Sequence, residues 1–349
     1  MCSAEMTFQS LIHQYEDQLA QSPVLAQSGL LKPLIVEPLK IKQLSFRRVQ
    51  LSVLRADLLH PKISGNKWFK LKYNLLTALN SQDRTVVSFG GAWSNHLHAL
   101  AYAGRLLGLN TTGIVRGEEL SPDSNAMLKE IQQQGMQLNF ISRADYRNQC
   151  RVRGPLSCSS DALAPTCSGY IPEGGDNVYG MLGASTMLDA DQLNALAISH
   201  VVTGVGTGCT FAGLRLSAPG HITLLGISAL KGSWVEDSMS NRLQAHPNWF
   251  NKSQLQNWQI NSDYHRGGFG RVDESLLSFI TEFEDNTGLQ LDPLYTGKAM
   301  MALLDLVNHG AIPPGSHVLF VHSGGLQGKR GFEPINEYGV PNGTLNFTK

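Results

Sequence analysis

Two lysines carry the first chemical signal in this sequence. Ser64-Gly65-Asn66-Lys67-Trp68-Phe69-Lys70 places one lysine directly after Gly-Asn and a second three residues on, one helical turn away. A lysine amine is an effective nucleophile only where its surroundings lower its pKa, for example by partial desolvation. Trp68 and Phe69 supply apolar company; taken alone, the segment reads equally as solvent-facing lysines on a helix that also holds Lys72. A second segment, Val201-Val202-Thr203-Gly204-Val205-Gly206-Thr207-Gly208-Cys209-Thr210, runs from an apolar stretch through glycines into a helical one. Successive backbone N–H groups at a helix N-terminus form a cradle for phosphate. The spacing is not a clean Gly-x-Gly-x-x-Gly, and no Gly-Lys-Ser/Thr ending marks a nucleoside triphosphate loop. Gly90-Gly91-Ala92-Trp93-Ser94-Asn95-His96-Leu97-His98 repeats the pattern with a Ser-Asn pair, whose residues are also ordinary helix N-caps. His96 and His98, two apart, do not share a helix face and make a weak metal pair. Asp292-Pro293-Leu294-Tyr295-Thr296-Gly297-Lys298 and His322-Ser323-Gly324-Gly325 complete the set, the last glycine pair again admitting a flat ligand close to the backbone.

A recurring unit must position these segments. Short β-branched or apolar runs end in Gly or a small polar residue and lead into longer stretches of helical periodicity. The clearest are Thr85–Phe89 before a helix over Ser94–Leu107, and His200–Thr203 before a helix over Thr210–Leu216. Further strands are expected at Thr111–Val115, Met136–Ser142, Ile222–Ala229 and His317–His322. Strand, glycine turn, helix, strand is the pattern of a mostly parallel α/β sheet covered on both faces. Ligands in such sheets sit where strand carboxyl ends meet helix amino ends, which directs attention to the turns at 90–95, 204–210 and 322–325. Arg143–Ser168 breaks the rhythm with Arg, Pro, Ser and Cys and no sustained period, as a surface excursion or a crossing between lobes would.

Composition narrows the function classes. The chain has 349 residues with 42% apolar, enough for two lobes, and 35 glycines, about one in ten against a background of ~7%. Lys plus Arg and Asp plus Glu are 28 each, so no basic excess exists to drive binding to nucleic acid or an acidic membrane. The five cysteines form no Cys-x-x-Cys pair, fitting a reducing compartment; Cys150, Cys158 and Cys167 have the wrong spacing for zinc. The first 21 residues are acidic where a signal peptide needs a basic region and an apolar run, and no segment approaches a membrane span. A cytoplasmic protein without a metal is the expectation.

In this order and at these separations the motifs resemble the fold type II pyridoxal-phosphate (PLP) enzymes. Within them, the chain is most similar to the D-cysteine desulfhydrase / 1-aminocyclopropane-1-carboxylate (ACC) deaminase group. The similarity lies in GNKWFKLKYN, SNHLHALAYAGRLLGL, IPEGGDNVYGMLG, VGTGCTFAGL, LDPLYTGKAMMAL and HSGG, from Gly65 to Gly325, about three quarters of the chain. The resemblance implies a two-domain, tryptophan synthase β-like α/β fold with the cofactor in the interdomain cleft. Residues 1–59 with 173–349 would form the large PLP-binding domain and 60–172 the small one, in a homodimer. It further implies that Lys67 is the Schiff-base lysine, that Lys70 faces the phosphate, and that Thr207, Gly208, Cys209 and Thr210 wrap it. Asn95 would bond the pyridine O3′, Ser94 would lie near the substrate carboxylate, and Tyr295 would be the active-site tyrosine.

Two positions separate the group's activities. ACC deaminases resemble one another in a Glu after the D-P-x-Y tyrosine and a Leu in H-x-G-G, whereas the desulfhydrases carry hydroxyl residues at both. Here they are Thr296 and Ser323. A hydroxyl cannot supply the counter-charge that a carboxylate gives a protonated ring, so a substrate with a good β leaving group is favoured. The expectation is α,β-elimination from a small β-substituted amino acid, D-cysteine giving pyruvate, sulfide and ammonia. ACC deamination, a serine racemase or dehydratase activity, and a non-catalytic PLP-binding protein are the alternatives. A nicotinamide enzyme is disfavoured, because Ile222–Ala229 runs on into Leu230 with no acidic residue for a ribose. One departure concerns the group's tyrosine in a G-Y-G-like stretch: Asp263–Gly270 has Phe269 there, with His265 or Tyr264 as substitutes. Trp93 and Trp68 are unusual bulky neighbours that would narrow the pocket.

Overall fold

The computed structural model describes residues 7–152 and 169–332. Ten strands appear among them: β1 (Val36–Pro38), β2 (Gln50–Arg55), β3 (Thr85–Gly90), β4 (Asn110–Arg116), β5 (Gln137–Ile141), β6 (Tyr170–Ile171), β7 (His200–Val205), β8 (Thr223–Ser228), β9 (Trp258–Asn261) and β10 (His317–His322). They form a six-stranded sheet in the order β1-β2-β10-β7-β8-β9 and a four-stranded sheet in the order β5-β4-β3-β6. Every neighbouring pair is parallel except β1 with β2. The six-stranded sheet takes its strands from both sides of the four-stranded one in the sequence.

The centre of the larger sheet shows why its strands read as unbroken apolar runs. In β10, Leu319 and Val321 join one core while Val318 and Phe320 join the other. In β7, Val201 and Val205 face the first core and Val202 the second. Side chains alternate across a strand, so helices on both faces demand apolar residues at every position. The helix Thr296–Asn308 covers one face, its Ala299, Met300, Ala302 and Leu303 fully buried.

Three helices carry the lysine and glycine segments and pack through glycine. Asn66–Leu79, Val178–Ser185 and Cys209–Ser217 meet where Gly183 abuts the Phe69 carbonyl and Gly213 lies 2.5 Å, measured from an added Cβ, from the Met181 carbonyl. Any side chain there would force the helices apart, so these glycines fix the lysine helix against the phosphate-loop helix.

Several expectations are corrected here. Lys72 is 3% exposed, its amine bonded to Glu16 and, at 2.6 Å, to the Thr186 hydroxyl, because the helix Phe8–Ala20 covers that face. Trp68 is wholly buried in the core and does not narrow any pocket. Arg143–Val152 is a helix, entered through Ser142 Oγ, which accepts the Asp145 N–H at 3.1 Å. The rest of that stretch, with Cys158 and Cys167, lies outside the described residues, as does Cys2; Cys150 and Cys209 are free thiols.

Candidate active site

Lys67 occupies the first turn of the helix Asn66–Leu79, which starts from Gly65 at φ 69°. A side chain at Gly65 would overlap the Ser323 carbonyl, and the Asn66 N–H donates to that same oxygen at 3.1 Å. Gly324, at φ 77°, lies against Gly65 from the other side. The lysine turn and the turn after β10 therefore dock backbone to backbone, which only glycine permits. Lys67 Nζ donates to Asn66 Oδ1 at 2.6 Å, and Asn66 Nδ2 donates to Thr210 Oγ1 at 2.9 Å. Burial, and then the charge of Lys70, push the Lys67 pKa down to about 7, against an opposing pull from Asp292. Desolvation thus favours the neutral, nucleophilic amine.

Lys70 is 5% exposed, its Nζ beside Gly174, which also neighbours the Thr207 methyl. The lysine and the glycine segment after β7 thus face one space. Gly206 leaves room for the Tyr295 ring, only 3.1 Å from where a Cβ would stand. Gly208 takes φ 88° and accepts the Ala212 N–H through its carbonyl, leaving the first-turn N–H groups of Cys209–Ser217 without helical partners. Cys209 contributes only backbone there: its thiol points away, to the carbonyls of Gly175 (3.5 Å) and Asn177 (3.7 Å), and burial raises its pKa.

Ser94 caps the helix Asn95–Leu107 by accepting the Leu97 N–H at 3.2 Å. Asn95 Nδ2 donates to the Gly325 carbonyl at 3.4 Å, while its Oδ1 is buried without a partner. Phe269 is 43% exposed and lies 6.1 Å, ring to ring, from Tyr295, whose phenol is held neutral chiefly by burial. Neither proposed substitute replaces it: Tyr264 donates to Asp305, and His265 Nδ1 accepts the Gly267 N–H within its own turn. His96 meets Ser88 Oγ at 2.8 Å and His98 meets Glu130 at 3.1 Å, two separate partners.

Thr296 departs from the role its position implies. Its hydroxyl is fully buried, donates to Asp292 Oδ2 at 2.7 Å and accepts the Asp292 N–H at 2.8 Å. The proton expected to face the ring is committed to Asp292. Ser323 is 7% exposed and meets the lysine turn through its carbonyl.

Sequence reasoning passed over three residues. Asn66 links the two halves of the site, and Asp292 organises the tyrosine turn: its Oδ1 accepts the N–H groups of Leu294 and Tyr295, and its Oδ2 accepts the Thr296 N–H and the Thr296 hydroxyl. An Asp that precedes Pro and two available N–H groups is a turn-former, a signal present in the sequence. Lys298, 1% exposed and pushed down to about 8 by burial, donates to the carbonyls of His265 (2.8 Å) and Gly268 (3.1 Å) and so anchors the Phe269 turn.

An amine poised near neutrality beside a glycine cradle for phosphate has a counterpart among known proteins. The family described as pyridoxal-phosphate dependent enzyme matches residues 37–324. The chain belongs to this family. Among curated relatives, a Pyrococcus abyssi protein provisionally named as an ACC deaminase is 30% identical over 80% of this chain and 86% of its own. D-cysteine desulfhydrase of Klebsiella pneumoniae is 28% identical over 82% and 89%. A crystal structure of an ACC deaminase homologue superposes with a TM-score of 0.69 at 23% identity, covering 87% of this chain and 94% of that one. This pyridoxal-phosphate dependent enzyme therefore has the fold type II architecture, and its site fits the cofactor. The orphaned Asn95 oxygen marks a buried amide awaiting a polar partner, and the Gly204–Gly208 cradle with Lys70 offers a dianion N–H groups and a positive charge.

Proposed function

We propose that the enzyme catalyses α,β-elimination from a small β-substituted amino acid, D-cysteine first, and that Lys67, Ser94 and Tyr295 serve the reaction. One observation carries the choice over ACC ring opening. Asp292, the buried carboxylate of the site, has all four of its lone-pair positions filled by Leu294, Tyr295 and Thr296 donors. Among the described residues the other buried carboxylate, Asp176, is paired with Arg242 at 2.6 Å, so both are already engaged, which supports a reaction driven by a good leaving group.

When bound, PLP supplies the electron sink for charge developing at the α-carbon. Lys67 holds the cofactor until substrate amine takes its place, and its neutral amine then accepts the α-proton. The Asn66 amide, fixed by Thr210, keeps that amine in position. Lys70 and the N–H groups of residues 207–210 retain the phosphate; the Asn95 amide orients the ring; Ser94 meets the substrate carboxylate. D-cysteine and water then yield pyruvate, hydrogen sulfide and ammonia. The group's organisation supports a cytoplasmic homodimer with lobes 1–59 plus 173–349 and 60–172; among the described residues no helix is long and apolar enough to cross a membrane.

The test is to incubate PLP-loaded enzyme separately with D-cysteine, β-chloro-D-alanine and ACC and to measure pyruvate, sulfide and 2-oxobutyrate. Pyruvate from the first two is expected. Failure to form it from either sinks the assignment, and 2-oxobutyrate from ACC reverses the order of the two readings.

A further inference from the structure

The segment after β10, Leu326–Phe332, takes no part in the chemistry above, yet it crosses the Trp93-Ser94-Asn95 turn. Gly325, just before it, gives its carbonyl to the Asn95 amide at 3.4 Å. Gly328 faces the same amide so closely that a Cβ would stand 3.0 Å from Asn95 Nδ2. A Cβ at Gly331 would lie 3.3 Å from the Trp93 ring. Arg330 then reaches over to the four-stranded sheet's layer, where both of its terminal nitrogens donate to the Glu130 carboxylate, Nη2 to Oε2 at 3.4 Å. Glu130 lies on the helix Ala126–Gln133, whose cap residue Asn125 donates to the Ala92 carbonyl at 3.1 Å. Glu130 also holds His98 Nε2 at 3.1 Å, and His98 rides on the same helix as Asn95. The turn is thus clamped between a glycine-rich segment on one side and an anchored helix on the other, and a single forked ion pair ties the two together.

We infer that Arg330 is a positioning residue: through Glu130 it presses the Leu326–Phe332 segment against the Asn95 turn and so sets where the Asn95 amide meets the cofactor. The inference rests on the proposed contact of Asn95 with PLP. A guanidinium suits the task because its planar fork meets both carboxylate oxygens, which a lysine amine cannot do. Three glycines in eight residues let the segment lie flat on the turn, so a loosened end transmits directly to the amide.

The experiment compares the PLP-loaded full chain with Arg330→Gln, Glu130→Gln, the double variant and Arg330→Lys. The readouts are the rate of PLP loss on dilution into a PLP scavenger, hydrogen exchange in the peptide covering residues 92–97, and the melting temperature as a fold control. Each single Gln variant should lose PLP about fivefold faster, the size expected of a part-exposed bidentate pair, with faster exchange confined to 92–97. The double variant should be no worse than either single one, and Arg330→Lys should fall between wild type and Arg330→Gln. The inference is overturned if Arg330→Gln loses PLP at the wild-type rate, or if the double effect is the product of the single ones. Should Gln at 330 unfold the chain, Gly328→Ala presses on the Asn95 amide directly, and unchanged PLP loss there also overturns it. A wild-type chain that takes up no PLP would instead defeat the assignment of Asn95 itself, and the absorbance spectrum separates that case at the outset.

Discussion

On one side of the candidate site, the helix that bears Lys67 and Lys70 is held by backbone packed against backbone at Gly65 and Gly183. On the other, Ser94, Trp93 and Phe269 stand on turns that are partly open to solvent, Phe269 at 43% exposure. On the first side a Cβ at Gly65 or Gly183 would overlap a neighbouring carbonyl; on the second the equivalent clearances at Gly328 and Gly331 are 3.0 and 3.3 Å, against side chains. Steric tolerance therefore differs across a few ångströms. The docked backbone at Gly65 and Gly183 has almost no freedom to change, whereas the contacts at Gly328 and Gly331 are with side chains that can give.

The sharpest break of that contrast is Lys67→Ala. It removes the proposed covalent hold on the cofactor and the proposed base, and elimination should fall by at least about 10³-fold. The visible absorbance of the lysine-bound cofactor should vanish with it; a band that persists would assign the lysine role elsewhere. Next in size is Gly183→Ala. Alanine is favoured over glycine within a helix by about 1 kcal/mol, so propensity alone predicts stabilisation. The overlap with the Phe69 carbonyl reverses the sign, and a loss of about 2 kcal/mol is expected, in the range of core overpacking. Thermal unfolding decides; an unchanged or raised melting temperature would show that the grip side has slack.

The third effect is on pH. With a folded-state pKa of about 7, Lys67 lies below its unfolded value of ~10.4. Between those limits the unfolded chain binds more protons, so the stability of the cofactor-free protein from this group rises with pH from about 7 to about 10. It is flat outside that window, the burden of a buried ammonium being fully present below it. PLP uptake should follow the neutral amine, climbing through pH 7 and levelling off well before 10. Stopped-flow absorbance measures it, and an uptake rate still climbing steeply at pH 9 would mean that the amine is not desolvated as the packing requires.

The grip side was also the more legible in the sequence. Glycine turns after apolar runs located β3, β7 and β10 to within two residues at each end, because two-sided burial leaves strands few polar positions. Lysine after Gly-Asn and the turn at 204–210 lie together through the Asn66–Thr210 bond, a proximity that the family resemblance, rather than spacing alone, implied. What escaped was set by tertiary partners. Lys72 reads as exposed until the helix bearing Glu16 covers it, and Trp68 reads as a pocket wall until the core closes over it. Thr296 reads as a cofactor contact until Asp292 takes its proton. Helical periodicity told which residues share a face and was silent on what that face meets.

The smallest expected effect tests the open side. Phe269 stands where the desulfhydrase group carries a tyrosine, on a turn pinned by the two bonds from Lys298. Because the ring is 43% exposed, adding a hydroxyl buries no unpaired polar atom, and stability should move by less than about 0.5 kcal/mol. Activity is another matter, since the ring stands 6.1 Å from Tyr295, which is proposed to serve the reaction. If the hydroxyl takes part in handling the leaving group, Phe269→Tyr should raise kcat on D-cysteine a few-fold and leave KM nearly unchanged. If the aromatic surface selects the substrate, KM should move and kcat should not. A variant identical to wild type in both would show that this turn lies outside the substrate's reach, and would shift the burden of specificity to Trp93.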